Sequence, residues 1–343
     1  MEQKTIKNEV NDVYKRFKLL ALKNNIPFQV EIDITNKCNA NCPFCFQGDK
    51  IDKEEMSYDL ICKLLDELKQ LGTYYIGFSG GEPFCRNDFL DILKYAKKLG
   101  FRISIITNAQ MLTKEIIDSL ENICIDRVTV SFHSLRLGNY LYHFGISNEK
   151  YYQLALENFE YLSTKKISIG AAITLTSKNI MEVPELKEYF LSKGLSERDI
   201  NYNNLLTGKR EVNYLRPNDN EITNMNPYFN DSSKGRNSDL ICAAGRISCT
   251  ITPNGLVYPC TFFNSPMGDL KCNSLKEIWT KSHLASILRN VKLEHFTKCT
   301  KCDIRSRCNM CLVSNINETG NMFLPSDEYC NMKKARGGIS DTK

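Results

Sequence analysis

"CNANCPFCF" occupies Cys38–Phe46 and sets three thiols in the spacing C-x3-C-x2-C, with Phe44 between the last two. It follows directly on "FQVEIDI" (Phe28–Ile34), which alternates apolar and polar residues with period two and reads as a strand. A loop at the C-terminal end of a strand is where parallel β/α architectures collect their active sites. A closed zinc site needs four protein ligands, and the nearest further thiols, Cys62 and Cys85, fall in a helical run and a later loop. The stretch is therefore either a zinc site completed from afar or a three-thiolate iron–sulfur site with one open iron.

Outward from this loop the chain repeats a strand–helix rhythm. An amphipathic helix around Val10–Leu22 precedes the first strand. The runs "YYIGFS" (Tyr74–Ser79), "RISIIT" (Arg102–Thr107), "DRVTVSF" (Asp126–Phe132), "ISIGAAI" (Ile167–Ile173) and "INYNNLL" (Ile200–Leu206) read as further strands. The helical patterns between them are Tyr58–Leu71, Asp88–Leu99, Lys114–Leu120, Glu149–Ser163 and Val183–Ser192. Such alternation predicts an α/β fold with a parallel sheet. Six units make a doubly wound sheet or an incomplete barrel, because a full barrel needs eight. Thr207–Asp239 is polar and aperiodic and reads as a linker or covering segment. The region Cys242–Cys330 reads as a small metal-stapled domain, with one helix over Ser274–Val291. The resulting division is an N-terminal helix (1–27), a β/α domain (28–206), a linker (207–241), a cysteine-rich domain (242–332) and a disordered tail (333–343).

Composition narrows the function class. Of 343 residues, 25% are charged and 42% hydrophobic, as in ordinary globular proteins. The net charge of +5 comes from scattered Lys and Arg, so nucleic acid is not expected as the partner. No apolar run is long enough to cross a membrane, and "MEQKTIKNEVNDVYKRF" has no signal-peptide core. A cytoplasmic location is expected, and there 15 clustered cysteines point to metal or catalysis rather than disulfides.

The order of motifs resembles the radical SAM superfamily. After the C-x3-C-x2-C loop come "GGEP" (Gly80–Pro83) behind the second strand, "TN" (Thr107–Asn108) at the end of the third and "VSFHS" (Val130–Ser134) at the fourth. The resemblance implies a partial (β/α)6 barrel. It implies that Cys38, Cys42 and Cys45 bind a [4Fe-4S] cluster whose open iron takes the methionine moiety of S-adenosylmethionine. One electron from that cluster then releases a 5′-deoxyadenosyl radical. Gly80, Gly81 and Glu82 would contact the cofactor's amino group, Phe44 its adenine, and Asn108 and Ser131 its polar groups.

The distal cysteines form "CAAGRISCTITPNGLVYPC" (Cys242, Cys249, Cys260) and "CTKCDIRSRCNMC" (Cys299, Cys302, Cys308, Cys311), followed by Cys330. Eight thiolates could serve two zinc sites. The Gly255-x4-Cys260 step, "EIW" (Glu277–Trp279) and the C-x2-C-x5-C run are similar to the SPASM extension of radical SAM enzymes. That likeness implies two auxiliary [4Fe-4S] clusters, one on Cys242, Cys249, Cys260 and Cys311, the other on Cys299, Cys302, Cys308 and Cys330. Two residues rather than the family's usual three separate Cys308 from Cys311. Cys272 is a spare, and Cys62, Cys85 and Cys124 are expected as ordinary buried thiols.

SPASM enzymes mostly modify peptides or proteins, so the expected activity is a radical oxidation, cross-link or epimerisation of a side chain. The expected partners are a peptide substrate and a flavodoxin or ferredoxin as electron donor; for a ribosomal peptide, leader recognition is expected from a separate protein or from the barrel itself, because about 27 residues before the first strand cannot form a peptide-reading domain. Sulfatase maturases carry an acid directly after the Gly-x4-Cys cysteine. Here Thr261 stands there, and a hydroxyl is a poor base at neutral pH. His133 takes the place of an acid often found at the fourth strand end and is a candidate substrate contact. The alternatives are formylglycine formation, radical chemistry on a tetrapyrrole or other small molecule, and a non-catalytic zinc-stapled binding protein.

Overall fold

The computed structural model describes residues 2–47, 54–205, 212–229, 241–305, 308 and 310–336, with side chains from residue 13 onward. One nine-stranded sheet runs through it in the order β6-β5-β4-β3-β2-β1-β7-β8-β9. The strands are β1 (Gln29–Asp33), β2 (Tyr75–Ser79), β3 (Arg102–Thr107), β4 (Arg127–Ser131), β5 (Ser168–Leu175), β6 (Ile200–Asn204), β7 (Ser248–Ile251), β8 (Leu256–Tyr258) and β9 (Gly268–Asp269). β1 to β6 are parallel and lie side by side in chain order. A doubly wound sheet reverses strand order at a switch point, so the unbroken order settles the choice left open by the sequence in favour of the partial barrel.

Helices cover the outer face: α1 (Glu2–Asn24), α2 (Tyr58–Gln70), α3 (Phe89–Lys98), α4 (Lys114–Asn122), α5 (Leu137–Phe144), α6 (Lys150–Ser163), α7 (Val183–Ser192) and α8 (Asp219–Met225). The apolar stripes dictate this. Ile61, Leu64, Leu65 and Leu68 of α2 recur at one-face helical spacing and are buried, as are Phe89, Ile92, Leu93 and Ala96 of α3. Ser57 and Thr113 cap α2 and α4 by accepting the backbone N–H of Leu60 and Ile116. The strands supply the other half of the core: Val30 and Ile32 face the helices, while Gln29, Glu31 and Asp33 alternate onto the barrel lumen.

The C-terminal part departs from the expected layout. β7 pairs in parallel with the outer edge of β1, Val30 opposite Cys249 and Glu31 opposite Thr250, so the sheet continues into the cysteine-rich region. The helix expected over Ser274–Val291 is two helices, α9 (Leu275–Lys281) and α10 (His283–Arg289). Ser282 is extended and caps α10 by accepting from Ala285, which breaks the run. The three remaining helices are α11 (Thr297–Thr300), α12 (Leu312–Thr319) and α13 (Asp327–Arg336). α8, with its Asn218/Glu221 capping box, lies inside the stretch read as a linker, and α13 extends four residues into the stretch read as a tail. The rest of that tail, and residues 207–211 and 230–240 of the linker, lie outside the described residues.

Candidate active site

A cavity of about 1010 Å³ opens at the C-terminal ends of the barrel strands. Cys38, Cys42 and Cys45 line it together with Gly80, Gly81, Glu82, Asn108, Ser131, His133 and Phe44. Its far wall comes from Cys249, Thr250, Cys260, Thr261 and Tyr329, so one space joins the first cysteine loop to the C-terminal region.

Neighbouring strand ends hold the cysteine loop in place. The two glycines of "GGEP" lie against its first residues: the backbone N–H of Gly81 donates to Thr35 and that of Glu82 to Lys37, both at 2.8 Å. A Cβ at Gly81 would stand 2.0 Å from the Lys37 carbonyl oxygen. Gly80 has φ +126° and would place a Cβ 2.6 Å from the Thr35 oxygen, so both positions require glycine. These glycines therefore admit the approach of the loop's own backbone, a use that the motif alone did not reveal.

Glu82 is buried and ties two strand ends together. One oxygen accepts from Thr107 Oγ1 at 2.7 Å and from Phe84 N at 3.4 Å, and the other from Asn108 N at 2.7 Å. Burial outweighs these bonds and pushes its carboxyl up to about 7. The Asn108 side chain is also engaged: its Nδ2 donates to Asn39 at 2.8 Å and its Oδ1 accepts from Gln110 N. Gln110 in turn accepts from Asn39 at 2.7 Å and donates to the Tyr140 hydroxyl at 2.9 Å. Asn39, Asn108, Gln110 and Tyr140 thus form one network that pins the loop.

α5, which sequence reading missed, is the other clamp. Asn41 N donates to Phe144 O at 2.8 Å, and Gly145 closes the helix with φ 60°. A Cβ at Gly145 would stand 2.0 Å from the Asn41 oxygen. The signal was present as a glycine directly after "LYHF", in the C-cap position. α5 also brings His143 within ring contact of Phe44 and His133. His133 meets the Phe44 ring edge-on, with centroids 5.2 Å apart. Its Nδ1 accepts from Thr174 N at 3.1 Å, which puts the imidazole proton on Nε2. Burial, with His143 close by, lowers its pKa to about 3 and keeps the ring neutral.

The distal thiols separate into two neighbourhoods. Cys242 and Cys311 both lie within electrostatic reach of Cys260, and all three pack on one apolar cluster with Phe263 and Phe296. Cys299, Cys302, Cys308 and Cys330 form the second mutually interacting set. Cys249 stands apart from both. Its thiol belongs to the barrel core and is pushed up to about 12 by burial alone, with no other thiol contributing. Cys272 is exposed. Cys124, expected to be buried, is exposed too, and Cys62 and Cys85 are only half-buried. For Cys124 the reason is local: it has φ 60° in the turn that ends α4.

The donor chemistry around each thiol set fits a sulfur-rich anionic group. Four buried N–H donors have no hydrogen-bond partner among the described residues; Arg216 Nε belongs to a guanidinium paired with Glu318 and Glu328, and the other three, Gln47 Nε2, Arg246 Nε and Arg305 Nε, lie near thiols. Gln47 follows Cys45 by two residues, Arg246 interacts with Cys242, and Arg305 with Cys299. Buried donors require acceptors, and the sulfurs of an iron–sulfur cluster accept such bonds. Cys38, Cys42 and Cys45 would hold the cluster that binds S-adenosylmethionine, and the two distal sets the auxiliary clusters.

Comparison with known proteins agrees with this architecture. The model of the radical SAM superfamily matches residues 32–190, and that of the SPASM iron–sulfur cluster-binding domain matches residues 242–303. The chain carries a radical SAM domain followed by a SPASM domain: it is an enzyme that works with [4Fe-4S] clusters and S-adenosylmethionine. It is 28% identical over 330 residues to the tungsten-containing aldehyde ferredoxin oxidoreductase cofactor-modifying protein of Pyrococcus furiosus, covering 84% of this chain and 91% of that protein. It is 34% identical over 115 residues to the PqqA peptide cyclase of Bradyrhizobium diazoefficiens, covering 33% of this chain and 30% of that enzyme. Its fold is similar to Streptococcus suis SuiB bound to S-adenosylmethionine, with TM-score 0.71 and 19% identity, covering 96% of this chain and 82% of SuiB.

Proposed function

We propose that this enzyme modifies a side chain of a peptide or protein by hydrogen abstraction, with the substrate held in the barrel lumen between the first cysteine loop and the C-terminal thiols. The observation that carries this reading is the single cavity shared by both regions. At about 1010 Å³ it reaches the upper end of ordinary ligand sites, which leaves space for a substrate segment beside the cofactor. The local likeness to a peptide cyclase supports the same substrate class.

When bound, the cofactors supply one-electron reductive cleavage and a 5′-deoxyadenosyl radical. The chain's own residues do the rest. Cys38, Cys42 and Cys45 bind through thiolates. Glu82 and the Asn39–Asn108–Gln110 network fix the loop that carries those thiolates. Phe44, braced by His133 and His143, presents an apolar face for a nucleobase, and Ser131 a hydroxyl on the cavity wall. A low-potential flavodoxin or ferredoxin would donate electrons, and a separate protein would bind a leader segment. No helix among the described residues is long and apolar enough to cross a membrane, and a cytoplasmic location fits the cysteine content.

A second reading replaces the peptide with a small-molecule cofactor, favoured by the match that runs along 84% of this chain. The test is anaerobic reconstitution, reduction, and chromatography for 5′-deoxyadenosine, followed by co-expression with candidate peptides and mass measurement. Iron near ~12 per chain with 5′-deoxyadenosine formation is expected from three four-iron clusters. A zinc-only protein that forms none would overturn the reading. A mass change on a small cofactor but on no peptide would select the second reading.

A further inference from the structure

The cavity wall holds one carboxyl that nothing among the described residues satisfies. Glu31 sits in the middle of β1, between Val30 and Ile32, which point outward into the core. Strand alternation therefore turns Glu31 onto the lumen, where it lines the cavity. On one side its register partner is Gly77, and a Cβ there would come 2.2 Å from Glu31 Oε2. The carboxyl therefore lies across a notch that only glycine leaves open. On the other side its partner is Thr250, whose hydroxyl bonds instead to Thr261 at 3.1 Å.

The Glu31 side chain makes no hydrogen bond and no ion pair with any described residue. The other carboxyl on the cavity wall among the described residues, Glu82, accepts three hydrogen bonds. Asp33, next on the same face, accepts from Ser79 at 2.7 Å and adds negative potential beside Glu31. Burial and that neighbour push the Glu31 carboxyl up to about 8, with no cation among the described residues opposing the shift. In this half-buried place the carboxylate loses part of its hydration without gaining a partner, and a complementary cation would make up that loss.

We infer that Glu31 is a substrate-binding residue that receives an ammonium or guanidinium group in the barrel lumen. Glu31 lies two residues, or ~7 Å, below the strand end from which the cysteine loop leaves. That depth fits the long side chain of a lysine or arginine reaching down from a peptide lying across the mouth. The inference rests on the peptide reading and assigns that substrate a basic residue near the modified position. It also places the acid of the site on β1, where position 261 offers only a hydroxyl.

The test uses N-acetyl-lysine methylamide as probe and N-acetyl-norleucine methylamide as its uncharged counterpart, titrated calorimetrically into the anaerobic holoenzyme. The wild-type chain is expected to prefer the lysine probe by about 10-fold, as a charge-assisted contact in a confined site does. Glu31→Gln should bring that preference to about 2-fold or less. Iron content is measured alongside, and if Glu31→Gln does not load fully, Glu31→Asp takes its place, with the preference expected to fall about threefold. Equal binding of the two probes by wild type overturns the inference, and so does a preference left intact by the substitution. Binding needs no turnover. A chain that forms no 5′-deoxyadenosine yet discriminates the probes refutes the proposed reaction and leaves the Glu31 assignment standing.

Discussion

The first cysteine loop and the C-terminal thiols are each brought together by different structural logic. Cys38, Cys42 and Cys45 lie within eight residues, so their proximity is local. What needs explaining is how the loop is held, and the answer is polar: Glu82, Asn39, Asn108, Gln110 and the α5 C-terminus lock it to the ends of β2, β3 and α5. The distal thiols span Cys242 to Cys330 and are drawn together by tertiary folding around an apolar cluster. A single substitution should therefore disable the first site outright. In the second region the effect should divide by neighbourhood.

The largest effect is expected for Cys42→Ala, which should abolish 5′-deoxyadenosine formation to the detection limit of chromatography. Cys302→Ala should lower iron by ~4 per chain, retain substrate-independent cofactor cleavage and lose product. Normal turnover by that variant would remove the auxiliary role from the Cys299/Cys302/Cys308/Cys330 set. Gly145→Ala tests the clamp without touching a thiol. The left-handed backbone alone costs about 1–3 kcal/mol, and the contact with Asn41 adds to it, so first-site iron should fall while distal iron stays. Mössbauer or EPR signals resolve the two populations.

A smaller, pH-dependent effect is expected at Glu31. Its folded carboxyl is raised above its unfolded value, so wild-type stability declines as pH rises from about 4.5 through about 8. Glu31→Gln lacks that decline and should exceed wild type by about 2–4 kcal/mol at pH 9, with little difference at pH 5, as read by denaturant melts. The smallest effect should come from Arg305→Met. Loss of a buried donor beside Cys299 should lower that cluster's potential by on the order of tens of millivolts in an EPR redox titration. An unchanged potential would mean that Arg305 only packs.

The sequence made the barrel legible because its signals are periodic. Alternating strands and one-face apolar helices marked all six β/α units within a residue or two. It failed where one side chain decides. Ser282 splits an otherwise continuous helical pattern, and Gly145 ends a helix too short and too aromatic to stand out. The candidate site was legible as motifs in order, and the folded chain groups the distal thiols into two neighbourhoods, with Cys249 apart from both. The motifs could not show that Asn108 and Glu82 spend their side chains on the protein itself, because those partners are distant in sequence: Asn39, Thr107 and Gln110 meet only once the strands pair. Glu31 was invisible for a related reason. A glutamate in an alternating strand looks like a solvent-facing residue until its partner strands show that it faces the lumen.

The pairing of β7 with β1 carries a consequence for how this chain can be cut. Without residues beyond 241, β1 would present a bare row of backbone donors and acceptors along Gln29–Ile32, flanked by Val30 and Ile32. Such an edge invites another copy to dock as the missing strand. The cysteine-rich region is thus also the cover of that edge, and an isolated barrel fragment would be prone to aggregate even with its own iron in place.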